Sequence, residues 1–125
     1  MDRVSVMTQL KFALQALALE AEGQIAAFPD FVVTTDELLL EFDNWYRVVL
    51  GNFPEYLSQE QTEILKAIDG FMDNLEPENP DQSIEDELKT SPFWKKMRAL
   101  ARKALTKFNW NSDLPPLDRV TYVKG

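Results

Sequence analysis

The chain is 125 residues long, 45% hydrophobic and 11% aromatic, with 21 Asp and Glu against 13 Lys and Arg and no His or Cys. That length suits one domain with a real core, and the eight Phe, three Trp and three Tyr argue against disorder despite a net charge of −8. The missing His and Cys exclude a disulfide framework, ordinary Ser–His–Asp or Cys–His catalysis, and the Glu-x-x-His pattern of helical di-metal sites.

Helical periodicity dominates from the N-terminus onward. Val6, Leu10, Leu14, Leu17 and Ala21 fall on one face, flanked by Met7, Ala13 and Ala18. Gly23 weakens the helix, but Ile25 and Phe28 continue the stripe until Pro29 stops it. Phe12 and Leu19 lie opposite, so this helix is either covered on two faces or exposes apolar surface. Gln9, Lys11 and Gln15 interrupt the apolar stretch, an amphipathic pattern rather than a signal-peptide core. No window approaches the roughly 20 apolar residues of a membrane span. A soluble, cytoplasmic protein without a membrane partner is expected.

A second helix starts at Thr34, which has capping-box spacing to Glu37, and runs to about Leu50 with Gly51 as a left-handed cap. Leu38, Phe42, Trp45 and Val49 form its core stripe, widened by Leu39 and Tyr46. Glu37, Glu41, Asn44 and Arg47 take the polar side, where Leu40 and Val48 also project. Ser58 and Gln61 repeat the capping-box spacing for a third helix. Its core stripe is Ile64, Leu65, Ile68, Phe71, Met72 and Leu75, with Glu60, Glu63, Asp69 and Asp73 outside. Gly70 costs this helix stability unless a neighbour approaches closely there.

Residues 76–83, with Pro77 and Pro80, read as an acidic loop, and Ile84–Lys89 as a short helix. The last helix begins with Ser91 as its cap and Pro92 at its first position. Trp94, Met97, Leu100, Ala101, Ala104, Leu105 and Phe108 form its apolar arc; Lys95, Lys96, Arg98, Arg102, Lys103 and Lys107 take the rest. From residue 109 the tail is extended, Pro115-Pro116 forbidding helix. Leu114, Leu117, Val120, Tyr122 and Val123 are candidates to pin it to the body. The expected fold is all-α: one domain over 1–125, a compact bundle of four to five helices with an extended C-terminal tail.

The charges are sorted along the chain. Glu20 to Leu88 holds 18 carboxylates against only Arg47 and Lys66, whereas Lys89 to Lys107 holds seven Lys or Arg and no carboxylate. A basic helix alone would suit phosphates, but the net charge of −8 and the absence of a nucleic-acid motif argue against direct nucleic-acid binding. The expected setting of that helix is solvent or the protein's own acidic helices. Asp36, Glu37, Glu41 and Asp43 are close enough in sequence for metal or acid–base work, but no Ca²⁺-loop spacing surrounds them. All four glycines are isolated, so there is no phosphate loop. No enzymatic activity and no cofactor are expected.

An uncompensated acidic surface instead steers a basic protein partner into contact. The candidate contacts are Asp36, Glu37, Leu40, Glu41 and Asn44, with Glu60 and Glu63 as neighbours.

Two stretches, FPDFVVTTDELLLEFDNW (28–45) and SPFWKKMRALARKAL (91–105), cover about a quarter of the chain. The first joins a Pro-containing loop to an acidic, aromatic helix; the second is a basic helix bearing Trp. This order resembles that of small bacterial helical immunity proteins, including those of contact-dependent growth inhibition systems. The resemblance implies a cytoplasmic protein that binds a cognate toxin domain and blocks its active site or substrate surface. Many such toxins are nucleases with basic clefts, which suits an acidic partner. Immunity families use different surfaces, so no contact residue is carried over by motif. Three other readings stand beside it: a regulatory adaptor or nucleic-acid mimic, an oligomeric bundle with Phe12 and Leu19 as its seam, and a carboxylate-metal enzyme. Oligomeric state is left open by the sequence.

Overall fold

The computed structural model describes residues 2–77 and 79–119. It is all-α, with six helices and no strand among the described residues: α1 (Arg3–Ala18), α2 (Ala21–Ala26), α3 (Thr34–Asn52), α4 (Gln59–Phe71), α5 (Ile84–Thr90) and α6 (Pro92–Lys107). Single 3₁₀ turns, Pro54–Tyr56 and Met72–Asn74, precede and follow α4.

Helix α1 lies between α3 and α6, and α4 packs on the other side of α6. Its Val6, Leu10, Leu14 and Leu17 are wholly buried, and Ala13, Ala16 and Ala18 let the neighbours approach closely. A helix apolar around most of its circumference is one that is covered on several sides. Phe12 and Leu19 are accordingly half-buried rather than fully exposed.

The expected single N-terminal helix is two helices. Leu19 and Glu20 are extended, with ψ near 150° and 160°. The carbonyls that α1 leaves unpaired are satisfied by side chains. Gln24 Nε2 donates to the carbonyls of Ala16 (3.2 Å) and Leu17 (3.0 Å), and Arg102 Nε donates to that of Ala18 (3.1 Å). Gly23 is thus not the break; it sits inside α2.

Helix α3 begins differently from expectation. Val33 is the N-cap and no side chain caps the helix, because Thr34 and Thr35 are already turned into the core. The helix also runs through Gly51, which has no positive φ, and ends at Asn52 with Phe53 as its C-cap. The Ser58–Gln61 box does form: Gln61 N donates to Ser58 Oγ (3.0 Å) and Ser58 N to Gln61 Oε1 (2.9 Å). Gln61 Nε2 also donates to the carbonyl of Lys107 (3.2 Å), tying the start of α4 to the end of α6. Leu75, assigned above to the α4 stripe, lies past the 3₁₀ turn and is 40% exposed.

Helix α6 buries more than its apolar arc. Ser91 makes no side-chain cap bond. Arg98, expected on the solvated face, is buried: it donates to Gln24 Oε1 on α2 and to the carbonyl of Leu88 at the end of α5. The physical reason is that α5 also packs on α6 and Arg98 lies on the side that meets α2 and α5, while Lys95, Lys96, Arg102 and Lys103 stay exposed. Trp94 Nε1 donates to Glu87 Oε2 (2.9 Å), joining α5 and α6 a second time.

The tail turns at Asn109, the one described non-glycine residue with positive φ (57°), and stacks Trp110 on Phe108 at 4.3 Å. Its fastening is polar rather than aliphatic. Gln15 Nε2 donates to the backbone and side-chain oxygens of Asn111 (3.1 and 3.0 Å), and Arg119 reaches Glu41. Pro115 is buried, while Leu114 and Leu117, the expected pins, are 58% and 50% exposed. Val120, Tyr122 and Val123 lie outside the described residues.

Candidate partner-binding surface

The contacts proposed from the sequence separate into three groups. On α3, Asp36, Leu40 and Asn44 recur every fourth residue and are all exposed, Leu40 at 59%. Glu37 is half-buried beside them.

Glu41, expected on the same polar side, is not free for a partner. Arg119 donates to it through Nε (2.8 Å) and Nη2 (2.9 Å), a bidentate pair with the two side chains only 6% and 4% exposed. The tail crossing α3 buries it.

Glu60 and Glu63 are not neighbours of Asp36. They occupy the first half of α4, where Glu60 accepts from Lys107 Nζ (3.2 Å) and Glu63 from Gln59 Nε2 (3.1 Å). Both line a groove with Lys103 and Lys107 of α6. Asp36 instead shares a depression with Leu75 and Glu76, beyond the far end of α4. At 1.5 Å per helical residue, that puts Glu60 about 20 Å away along the α4 axis.

The end of the bundle marked by Asp36 is where exposed apolar and acidic side chains meet. The loop before α3, the loop after α4 and the start of α5 converge there. Phe31 and Val33 (both 45% exposed), Leu75 (40%) and Ile84 (37%) come from these segments. Val33, Leu75 and Ile84 line one depression with Asp36, Glu76 and Glu87; Ile84 also lines a second, of about 400 Å³, with Phe28, Val32, Asp30 and Glu85. Among the described residues neither depression has a Lys or Arg in its lining, although the Arg119 guanidinium, paired to Glu41, lies 5.9 Å from the centroid of the Phe28 ring. The sequence reading missed Asp30, Val33, Glu76, Ile84 and Glu85. Phe31 and Val33 did carry a signal, as apolar residues in a loop that belong to no stripe.

Electrostatic compensation lies elsewhere. The ion pairs among the described residues are Arg47–Asp43, Arg102–Glu20, Lys107–Glu60 and Arg119–Glu41. The hydrogen bond from Arg102 holds the Glu20 carboxyl below its ordinary value, and Asp43 raises the Arg47 guanidinium above its own. Burial pushes the Arg98 guanidinium down from its usual value. The basic segment is therefore partly absorbed: Arg98 is buried, while Arg102 and Lys107 are paired to the protein's own carboxylates. Asp30, Asp36, Glu76 and Glu85 take part in none of these pairs.

No group of three or more His, Cys, Asp or Glu suited to a metal ion occurs among the described residues, and no described helix is long and apolar enough to cross a membrane. Comparison with protein-family models, curated proteins and solved structures finds no match to this chain.

Proposed function

We propose that this is a non-catalytic acidic binding protein, an immunity protein that neutralises a cognate toxin domain in the cytoplasm by covering its basic surface. The observation that carries this reading is the end of the bundle around Ile84, where exposed Val33 and Leu75 stand among Asp30, Asp36, Glu76 and Glu85 with no Lys or Arg among the described residues that line the depressions between them. Apolar groups supply affinity once water is excluded; surrounding carboxylates supply approach rate and choice of partner. Asp36, Leu40 and Asn44 extend this surface along α3. Many toxin domains of the kind that immunity proteins silence are nucleases, whose substrate clefts are basic, and an acidic surface fits such a cleft.

The test is capture from the source lysate at low and then moderate salt, followed by an activity assay of whatever is retained. A basic toxin domain whose activity falls in proportion to added protein supports the proposal. The Asp36→Lys/Glu76→Lys/Glu85→Lys variant should then associate at least tenfold more slowly and lose most of its salt sensitivity. Undiminished binding by that variant would remove this surface from consideration. Release of the captured protein by nucleic acid, without any toxin activity to suppress, would replace immunity with nucleic-acid mimicry.

A further inference from the structure

A groove lined by Phe71 and Phe93 adjoins the acidic end. It encloses about 530 Å³ and lies where the 3₁₀ turn after α4 meets the junction of α5 and α6. That volume falls within the range of ordinary ligand pockets. Its floor is aromatic: Phe71 and Phe93 stack at 5.2 Å with ring planes 11° apart. Trp94 meets Phe93 edge-on, also at 5.2 Å and with planes at 84°. Phe93 is thus buried between Phe71 and Trp94, and the half-buried Phe71 is the main aromatic surface offered to the groove. Asn74, Gln82, Thr90 and Ser91 line the rim; Asn74 Nδ2, Gln82 Nε2 and Thr90 Oγ1 already donate to the Phe71 carbonyl, Asp86 Oδ2 and the Asp86 carbonyl, which leaves the two amide oxygens as acceptors.

The two ends of the groove differ in charge. Lys96 stands at one side. Glu76 and Gln82 stand at the other, and the same two residues line the neighbouring depression that holds Asp36 and Glu87. A cation lying over Glu76 is attracted by three carboxylates, whereas one over Lys96 is repelled. An occupant is therefore oriented as well as held.

We infer that this groove receives an extended segment of the protein partner, one aromatic side chain of which packs against Phe71 while a Lys or Arg a few residues away lies over Glu76 toward Asp36. The inference rests on the acidic-binder reading above and adds the kind of element that the partner presents. Aromatic anchors in half-enclosed pockets are the usual energetic centre of such contacts, and the amide oxygens of Asn74 and Gln82 suit the N–H groups of an extended segment. Cationic flanks without the anchor would be drawn to the same end of the molecule but not into the groove.

The experiment titrates the ¹⁵N-labelled full chain with acetyl-Gly-Trp-Gly-Lys-Lys-Gly-amide, in parallel with the same peptide carrying Ala for Trp. The expected result is saturable movement of the Asn74, Gln82, Thr90 and Ser91 amides by the Trp peptide, at least fivefold tighter than by the Ala peptide. Phe71→Leu should weaken the Trp peptide at least threefold, and Glu76→Lys at least fivefold. Equal response to both peptides, centred on Asp36 and Glu85, would overturn the groove while leaving the acidic-binder reading in place. No response at those residues to either peptide would count against both. Movement of the groove amides with protein concentration alone would assign the groove to a second copy of the chain and overturn the inference.

Discussion

Arg98 on α6 donates through Nε and Nη2 to a single oxygen, Oε1 of Gln24 on α2, at 3.3 and 3.1 Å, across 74 residues of chain. Both side chains are buried, Arg98 at 6% and Gln24 at 0% exposure. The pair works as a joint. Gln24 closes the end of α1 with its amide nitrogen, and Arg98 closes the end of α5 at Leu88, so one contact terminates two helices. A cation is favourable at a helix C-terminus, which partly offsets the cost of burying the guanidinium. Arg98→Met should therefore lose about 3 kcal/mol, because it leaves Gln24 Oε1 and the Leu88 carbonyl buried without donors. Gln24→Leu should cost a similar amount. In urea unfolding, the double variant should fall short of the sum by at least about 1 kcal/mol. Full additivity would mean that the two residues act separately.

The Glu41–Arg119 pair is as well buried but fastened differently. Removing one partner of a buried ion pair ordinarily costs about 3–5 kcal/mol. Here Arg119 belongs to a tail with no regular secondary structure and with Leu114 and Leu117 facing solvent, so the tail can lift away and rehydrate Glu41. The cost of Arg119→Ala is thus limited to the docking energy of the tail, about 1–2 kcal/mol. The sharper readout is local: chymotrypsin should cut after Leu117 at least tenfold faster in the variant, while global unfolding shifts modestly. An unchanged cleavage rate would show that Trp110, Asn111 and Pro115 hold the tail without Arg119.

Most helices are legible in the chain because their signals are local. Val6, Leu10, Leu14 and Leu17 are spaced by helical turns, and Trp94, Met97, Ala101 and Ala104 likewise, and all are buried at 1% exposure or less. Arg98 and Glu41 were misplaced on solvated faces because their burial depends on α2, α5 and the tail, whose positions no local pattern specifies. The same holds for the candidate surface. Asp36 is visible as an exposed carboxylate on a helix, but Asp30, Glu76 and Glu85 join it only because loops far apart in sequence converge at one end of the bundle. Leu19 and Glu20 break the first helix for a reason equally remote, since the groups that satisfy its last carbonyls come from Gln24 and Arg102.

Acid sensitivity follows from Glu20 and Asp2. Arg102 lowers the Glu20 carboxyl from its ordinary 4.5, and hydrogen bonds from Ser5 lower that of Asp2 from 3.8. A carboxylate whose pKa is lower in the folded state binds fewer protons there than when unfolded. Its stabilising contribution is complete above the unfolded value and is lost as the pH falls through the folded one. Thermal stability should thus decline from about pH 5 downward, and Glu20→Gln should lower the melting temperature above pH 6 slightly, as expected for an exposed pair, and flatten the limb by the same amount, the two proteins converging at low pH. An acid limb identical to that of the parent protein would show that the Arg102 contact does not persist in solution.

Helix caps offer a direct contrast between two serines. Ser58 Oγ accepts from Gln61 N, whereas Ser91 makes no side-chain cap bond and leaves the start of α6 to Pro92. Ser58→Ala should cost about 1 kcal/mol, and Gln61→Ala somewhat more, since Gln61 also donates to Lys107. Ser91→Ala should cost less than about 0.5 kcal/mol. Equal losses at the two serines would mean that Ser91 caps α6 in solution.

Gly51 and Gly70 both lie inside helices, neither has a positive φ, and an added Cβ at either would meet nothing within 4 Å. Neither position uses the freedom that glycine provides, so each carries its entropic cost without a structural return. Alanine at either position restricts the unfolded chain and favours the helix, which should stabilise the protein by about 0.5–1 kcal/mol per site. The two sites lie on different helices, so the double variant should approach the sum. Gly51 discriminates between two chain paths. If it were a left-handed cap, as its place after Leu50 suggests, Gly51→Ala would destabilise by about 1 kcal/mol instead, the cost of forcing a Cβ into that conformation. Denaturant midpoints of the two single variants therefore read the sign directly, and a gain at Gly51 places the end of α3 beyond it, at Asn52.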